Sequence, residues 1–250
     1  MSQEYKVDFA TFCYSGDAPK LHRPGQLSLQ INSNRYKFNQ VIVVYQRCNP
    51  SNYNLFGDIG LPITTQVISD EDMIDHTLKM YGIDSFKPQY ESDTDQLHAW
   101  RYHVVNHLFA LFCSDSDFIV FADADCWMVR QPENKSWIKV GIDLLLNNRD
   151  IFIVSPNDGE PERRTLRMSQ QMFMTRTHKF RLADWTQPGY TGNPRDYDTM
   201  PEYHAMLEGR MEYHCRSAGK HRYVLGPEFR YFHHNRTDEN GHWQLDRDKY

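Results

Sequence analysis

Two aspartates separated by one residue follow a run of strand-forming residues near the middle of the chain. The run is Phe118–Ala122, and the acids are Asp123 and Asp125. Alternate side chains of an extended chain point the same way, so we expect the two carboxylates to lie together at the end of a strand. Such paired oxygen ligands suit Mg²⁺ or Mn²⁺ held partly by the protein and partly by a substrate phosphate. Because open α/β sheets bind ligands at the carboxyl ends of their strands, the pattern predicts a site for a metal and a diphosphate.

The spacing alone carries little weight, because it occurs six times in this acidic chain. The six pairs are Asp70/Asp72, Asp93/Asp95, Asp115/Asp117, Asp123/Asp125, Asp196/Asp198 and Asp246/Asp248. The fourth pair directly follows an uninterrupted run of strand formers, whereas the others lie in polar, turn-like or helical surroundings. A solvated turn is the alternative interpretation of the fourth pair, and its context favours the metal site.

Apolar and polar patterns around this pair predict alternating strands and helices. Apolar and β-branched runs predict strands over Val7–Phe12, Val41–Tyr45, Asp150–Val154, Gln170–Thr175, Arg222–Leu225 and Phe229–Phe232. Helical periodicity predicts helices over Leu21–Asn32, Asp70–Tyr81, Asp95–Cys113, Trp137–Asn147 and Glu202–Ala218. Residues 46–68 and 186–201 are rich in polar residues, Pro and Gly, and are expected to be loops. The alternation predicts an α/β fold with a mostly parallel central sheet flanked by helices.

Composition narrows the classes of protein. The chain has 250 residues, a hydrophobic fraction of 40% and a net charge of −5, which favours a globular domain over a nucleic-acid binder. The aromatic fraction of 14% is high, and Tyr and Trp often line sugar and nucleobase pockets. Five scattered cysteines without a C-x-x-C pair favour a reducing compartment. With neither a signal-like N-terminus nor a membrane-spanning apolar run, we expect a cytoplasmic protein with no transmembrane segment.

With a strand followed by Asp-x-Asp, a helix before it and an acid-bearing helix after it, the chain resembles GT-A glycosyltransferases. The resemblance is to the inverting branch that builds bacterial and viral polysaccharides. It implies a single GT-A domain over residues 1–250, with a nucleotide-binding part at about 1–130 and an acceptor-binding part at about 131–250. It also implies Mn²⁺ (or Mg²⁺), a UDP- or GDP-linked sugar donor and a glycan or other hydroxyl acceptor. Asp125 would then bind the metal directly, and Asp123 would contact the ribose or a metal-bound water.

The same resemblance implies a catalytic carboxylate in the helix that ends at Gly219. Aligned without gaps on this glycine, the family's catalytic aspartate falls on Glu208, which would act as general base toward the acceptor hydroxyl. The family carries an acidic pair at this place, whereas here Leu207 precedes a single Glu. Glu202 is therefore a competing candidate, and Asp198 is a weaker one. An exposed helix carboxylate is the alternative interpretation of any one of them.

Histidines beyond the last strand are candidates to complete the metal site. Many GT-A enzymes place a histidine after the acid-bearing helix, and His233 and His234 follow the predicted strand Phe229–Phe232. Neighbouring residues of an extended chain point in opposite directions, so one of the two is expected to bind, with His233 preferred. A surface or core histidine is the alternative.

The resemblance places the nucleotide over the ends of the first two strands. The candidate donor-binding residues are Thr11, Tyr14, Asp17, Tyr45, Arg47 and Arg101, together with Asp123. Trp185 and Tyr190 border the long loop and are candidates to stack on an acceptor sugar, with core packing as the alternative for Trp185.

Three other classes of protein use similar features. A nucleotidyltransferase would carry a Gly-rich phosphate loop after its first strand, which residues 13–17 do not resemble. A haloacid-dehalogenase-type phosphatase uses Asp-x-Asp near its first strand, followed by Gly-Thr, whereas here Cys126 and Trp127 follow. A non-catalytic glycan-binding domain would explain the aromatic content and leave the carboxylate pair unexplained. The expected function is therefore metal-dependent sugar transfer from a nucleotide donor to a hydroxyl.

Overall fold

The described part of the chain forms one large mixed sheet and one small sheet. The computed structural model describes residues 5–14, 21, 25–46, 60–68, 71–83, 94–157, 159, 161–166, 168–169, 171–186 and 207–233. The strands are β1 (Val7–Tyr14), β2 (Val41–Gln46), β3 (Ile63–Ile68), β4 (Phe118–Asp123), β5 (Cys126–Arg130), β6 (Ile151–Ser155), β7 (Arg163–Thr165), β8 (Met172–Arg176), β9 (His221–Val224) and β10 (Arg230–His233).

The large sheet has eight strands in the order β3-β2-β1-β4-β8-β6-β9-β7. Strands β3, β2, β1 and β4 pair in parallel, as do β6 and β9. Strand β8 runs antiparallel to both β4 and β6, so β6 and β9 point in the same direction as β4. Only β7 and β8 of the eight described strands run the other way, which confirms the expected mostly parallel sheet.

Helices cover both faces of the large sheet. They are α1 (Gln26–Asn32), α2 (Glu71–Met80), α3 (Thr94–Cys113), α4 (Trp137–Asn147), α5 (Thr177–Arg181) and α6 (Leu207–Ser217). Buried apolar side chains of α1 and α4 pack on one face, which we call the α1 face. Those of α2, α3, α5 and α6 pack on the opposite face, the α3 face. The result is a three-layer α/β arrangement with a core on each side of the sheet.

Strands β5 and β10 form the separate small sheet. They pair antiparallel, with Phe232 opposite Trp127 and His233 opposite Cys126. The rings of Trp127 and Phe232 lie 4.7 Å apart between centroids. Since only residues 124 and 125 separate β4 from β5, this sheet follows directly from the strand that ends at Asp123.

Three parts of the sequence differ from expectation. Residues 46–68 were expected to be loop, but Ile63–Ile68 forms the edge strand β3, because its β-branched residues pair well with β2 despite their polar neighbours. Arg163–Thr165 forms the short edge strand β7, and Thr177–Arg181 forms helix α5. Among the described residues, no helix is long and apolar enough to cross a membrane.

Candidate metal site

Asp123 is held at the carboxyl end of a fully buried strand. The side chains of β4 from Phe118 to Ala122 are at most 1% exposed. The backbone N–H of Asp123 donates to the carbonyl of Gln171 at 2.8 Å, and its own carbonyl accepts from Nε2 of Gln30 at 2.5 Å. Phe121 packs on the α3 face of the sheet, and alternation along β4 points the side chain of Asp123, two residues later, toward the same face. Hydrogen bonds to Gln171, the residue before β8, and from Gln30 of α1 thus fix the backbone of this aspartate.

Asp125 lies near Asp123 because the chain turns between them. Ala124 and Asp125 form a turn that joins β4 to β5, so the expected alternation along one continuous strand is not what brings the acids together. Ligand atoms of Asp123, Asp125 and Cys126 all lie within 4.8 Å of one another. Two oxygens bound to one Mg²⁺ or Mn²⁺ lie about 3 to 4 Å apart, at metal–oxygen distances near 2.1 Å. Small side-chain rotations would therefore let both half-buried carboxylates bind one divalent ion.

Cys126 is the member of this cluster that the sequence patterns did not identify. Its side chain is fully buried, and burial raises the pKa of the thiol well above its ordinary value. The charges of Asp123 and Asp125 raise the pKa of the thiol further. The only signal of Cys126 in the sequence is its position directly after Asp125.

The middle of β5 and the residue after it are held by Ser33, the C-cap residue of helix α1. The backbone N–H of Met128 donates to Oγ of Ser33 at 3.1 Å, and Nε2 of Gln131 donates to the carbonyl of Ser33 at 2.5 Å. The end of helix α1 therefore contacts both strands that flank the turn: Gln30 bonds to Asp123 of β4, and Ser33 bonds to Met128 of β5. These residues lie about ninety positions away from the turn in sequence, which is why no local pattern indicates them.

His233 is placed next to the cluster by strand pairing. Its Cα is the partner of the Cα of Cys126 in the antiparallel β5–β10 pair. The structure describes the backbone of His233 and not its side chain, and His234 lies outside the described residues. A role for His233 as metal ligand stays a prediction.

Helix α6, which carries Glu208, begins at the same edge of the sheet as the cluster. The chain leaves this helix at Gly219, where φ is 63° as predicted for a glycine stop, and enters β9 at His221. Because β9 runs in the direction of β4, it starts at the amino edge of the sheet. The helix before it spans 11 residues, about 16 Å, and so begins near the carboxyl edge. It also packs on the α3 face, the face that Asp123 shares.

Glu208 and Glu212 are the two acids of α6, and they lie in different surroundings. Glu212 is 3% exposed, and its carboxylate accepts from Arg216 at 2.8 Å. Glu208 lies in the first turn and is half-buried. The competing candidates Glu202 and Asp198 lie outside the described residues. On this helix, Glu212 forms an ion pair with Arg216, and Glu208 is the acid nearer the carboxyl edge of the sheet.

Arg210 connects α6 to the segment after α5. Its guanidinium is buried and donates to the carbonyl of Trp185. Burial lowers the pKa of Arg210 to about 10, while the nearby charge of Asp184 acts in the opposite direction. Trp185 itself is 1% exposed, and its ring packs 4.6 Å from that of Phe180. Of the two expectations for Trp185, core packing is the one observed; Tyr190 lies outside the described residues.

The expected nucleotide-binding residues lie on several elements. Thr11 and Tyr45 are fully buried on the α1 face of the sheet, and Oγ1 of Thr11 has no hydrogen-bond partner among the described residues. The backbones of Tyr14 and Arg101 lie in β1 and α3, and their side chains are not described. Two further candidates lie outside the described residues, namely Asp17 and Arg47. Contacts of these residues with a nucleotide stay predictions.

Sequence comparison finds no match to this chain, whereas structural comparison finds proteins of similar fold. No protein-family model and no curated protein matches the chain. The apo structure of mouse xyloside xylosyltransferase 1 matches with a TM-score of 0.50 and 8% identity, over 88% of this chain and 85% of that one. The chain shares its fold with a glycosyltransferase. This match confirms the predicted GT-A type of α/β fold.

Two other solved structures match less well. S. aureus TarS 1–349 in complex with UDP-GlcNAc gives a TM-score of 0.47 and 13% identity, over 94% of this chain and 60% of that one. A cytidylyltransferase from Leptospira borgpetersenii gives 0.44 and 13%, over 90% of this chain and 78% of that one. The chain spans 36% of a longer TarS structure.

Proposed function

We propose that this protein is a metal-dependent glycosyltransferase. It would move a sugar from a nucleoside-diphosphate donor, UDP- or GDP-linked, to a hydroxyl of a glycan or another acceptor, with inversion at the anomeric carbon. The observation that carries the proposal is the cluster of Asp123 and Asp125 at the carboxyl edge of the sheet, in a fold shared with a xylosyltransferase. The helix that carries Glu208 in its first turn begins near the same edge.

Asp123 and Asp125 would hold the divalent ion, Mn²⁺ or Mg²⁺. When bound, the ion neutralises the charge that develops on the departing diphosphate. The two carboxylates would hold the ion and leave it free to bind phosphate oxygens of the donor. Hydrogen bonds from Gln30 and to Gln171 keep the backbone of Asp123 in place, so the carboxylate needs little reorganisation when the donor arrives.

Glu208 would act as the general base. Its carboxylate takes the proton of the acceptor hydroxyl while the acceptor oxygen forms a bond to the anomeric carbon. The bond from that carbon to the diphosphate oxygen breaks in the same displacement, which inverts the configuration. Glu208 suits this role because it is half-buried and lies in the first turn of α6. Glu202 is the alternative base.

A donor screen tests the proposal. Melting temperatures would be measured with UDP-, GDP-, CMP- and dTDP-sugars, each with Mn²⁺ and with a chelator. A ligand that binds only the folded state raises the melting temperature by mass action. We expect one nucleotide class to stabilise the wild type only with metal, and this effect to be absent in Asp125→Ala. No stabilisation by any of these donors would contradict the proposal.

Product chemistry separates sugar transfer from nucleotidyl transfer. A glycosyltransferase releases a nucleoside diphosphate from the nucleotide-sugar, whereas a nucleotidyltransferase that joins a nucleoside triphosphate to a sugar phosphate releases pyrophosphate. We expect metal-dependent release of the nucleoside diphosphate. Pyrophosphate release from a nucleoside triphosphate and a sugar phosphate would favour the second class instead.

A further inference from the structure

The candidate metal site contains a sulfur atom as well as oxygen atoms. Sγ of Cys126 lies within 4.8 Å of ligand oxygens of both Asp123 and Asp125. The thiol is fully buried at the start of β5, directly after the turn that carries Asp125. Of the described His, Cys, Asp and Glu side chains, these are the three that come close enough together to share one ion.

Oxygen and sulfur ligands favour different divalent ions. Carboxylates suit Mg²⁺ and Mn²⁺, whereas thiolates select softer ions such as Zn²⁺. Zn²⁺ accepts both thiolate sulfur and carboxylate oxygen as ligands. The site therefore combines the acids expected for Mn²⁺ with a ligand that Mn²⁺ does not require.

We propose that Cys126 is a third protein ligand in this site, and that it increases the site's preference for thiophilic divalent ions such as Zn²⁺ over Mn²⁺. The inference rests on the metal site of the proposed function and adds metal selectivity to it. As the metal–sulfur bond forms, the S–H bond breaks and the proton passes to solvent, with no change of oxidation state. The same exchange applies to Co²⁺ and Cd²⁺.

The coordination number of the bound ion affects how a diphosphate can bind to it. An octahedral Mn²⁺ held by two carboxylates keeps four positions open, enough for two phosphate oxygens and water. Zn²⁺ prefers fewer ligands, so Asp123, Asp125 and Cys126 together would leave it fewer positions for phosphate oxygens. Zn²⁺ is therefore expected to inhibit the Mn²⁺-supported transfer by occupying the same site.

Core packing is the competing explanation for Cys126. A buried cysteine often acts as a small apolar residue, and Cys126 belongs to the apolar cluster on the α1 face. That explanation predicts no bond between its sulfur and a bound metal. The two explanations thus differ in a property that can be measured without donor or acceptor.

Cobalt spectroscopy of the full chain tests the ligand role. Co²⁺ bound to a thiolate gives a sulfur-to-metal charge-transfer band in the near ultraviolet, whereas carboxylates alone do not. We expect this band in the wild type, and its loss in both Cys126→Ser and Cys126→Ala. Cys113→Ser, which changes a half-buried cysteine outside the cluster, is the matched control and should keep the band. Melting curves establish that each variant is folded. Two different substitutions of Cys126 are used so that the test still holds if one of the two variants does not fold.

Competition between ions tests the selectivity. Free Mn²⁺ would be followed by electron paramagnetic resonance while Zn²⁺ is added. We expect Zn²⁺ to displace Mn²⁺, and its preference over Mn²⁺ to fall by about tenfold or more in Cys126→Ser, since loss of even an outer partner of a ligand costs about that much. An unchanged preference in the folded variant would overturn the selectivity.

The outcomes separate this inference from the proposed function. Co²⁺ binding without the band, or a band that persists in both Cys126 variants, would overturn the ligand role of Cys126 and leave the Asp123/Asp125 site standing. A band that depends on Cys126 in a protein that binds no nucleotide-sugar would support the inference and contradict the proposed function. Absence of all Co²⁺ and Mn²⁺ binding would overturn both.

Discussion

Replacing Gln30 by Leu should weaken both the fold and the metal site. Gln30 is fully buried on α1, and its amide donates to the carbonyl of Asp123 at 2.5 Å, across 93 positions of sequence. Leucine has nearly the same size and cannot donate. The substitution therefore removes one hydrogen bond and leaves the surrounding apolar contacts largely in place.

The size of the effect follows from what is left unpaired. Loss of a partner for a buried carbonyl costs about 1 to 3 kcal/mol. Oε1 of Gln30 is itself buried without a partner among the described residues, so its removal offsets part of this cost. We therefore expect a loss of about 1 to 2 kcal/mol, which lowers the melting temperature by about 2 to 8 °C in a protein of this size. Since Gln30 holds the backbone of a metal-binding residue, Mn²⁺ affinity should fall by about tenfold.

Gln26→Leu is the matched control for this experiment. Gln26 lies on the same helix, and its Nε2 is buried without a partner among the described residues, so this change removes no hydrogen bond from that nitrogen. Thermal melting and calorimetric Mn²⁺ titration would be run on both variants and the wild type. A melting temperature of Gln30→Leu no lower than that of Gln26→Leu would contradict the stabilising role of the Gln30 hydrogen bond. A Mn²⁺ affinity equal to that of the wild type would contradict its role in holding the metal site.

Three further predictions concern the base, the stereochemistry and pH. Glu208→Gln should bind the donor normally and lose transfer, measured as released nucleoside diphosphate; the same phenotype in Glu202→Gln instead would move the base to that residue. Product NMR should show the donor's anomeric configuration inverted, and a retained configuration would rule out direct displacement with a carboxylate base. Burial lowers the pKa of His214, whose Nδ1 accepts from the backbone N–H of Asp184 at 3.2 Å, so the unfolded chain takes up the proton at higher pH than the folded one. The free energy of unfolding should therefore decrease as pH falls below about 6.5, and it should decrease less in His214→Gln. Because the pKa of His178 is lowered as well, the wild type and the variant have to be compared with each other. Equal dependence of stability on pH in the two proteins would contradict the assignment to His214.

The elements with strong local patterns could be predicted from the sequence. Helix Trp137–Asn147 has the predicted bounds, because its apolar residues repeat with the helical period and Ser136 caps its N-terminus. Strand β4 follows from five consecutive apolar residues that are buried on both faces of the sheet. The predicted glycine stop at Gly219 is confirmed by its positive φ.

The parts that depend on contacts between distant residues could not be predicted. The edge strand Ile63–Ile68 mixes polar and β-branched residues, and its pairing with β2 decides its conformation. At the candidate site, the sequence indicates Asp123 and Asp125, but not the turn that brings them together. The role of Gln30 arises from the packing of α1 against the end of β4, across 93 positions of sequence. No spacing rule along the chain contains that information.

The most direct test of the central claim is the binding of UDP and GDP to the wild type and to Asp125→Ala, by calorimetry with Mn²⁺ and with a chelator. The proposal predicts that one of the two nucleotides binds the wild type only when Mn²⁺ is present, and that the folded variant shows no such metal-dependent binding. Equal Mn²⁺-dependent affinity in both proteins would contradict a metal site at Asp125. If neither nucleotide binds the wild type with Mn²⁺ present, sugar transfer from a UDP- or GDP-linked donor at this edge of the sheet would be contradicted as well.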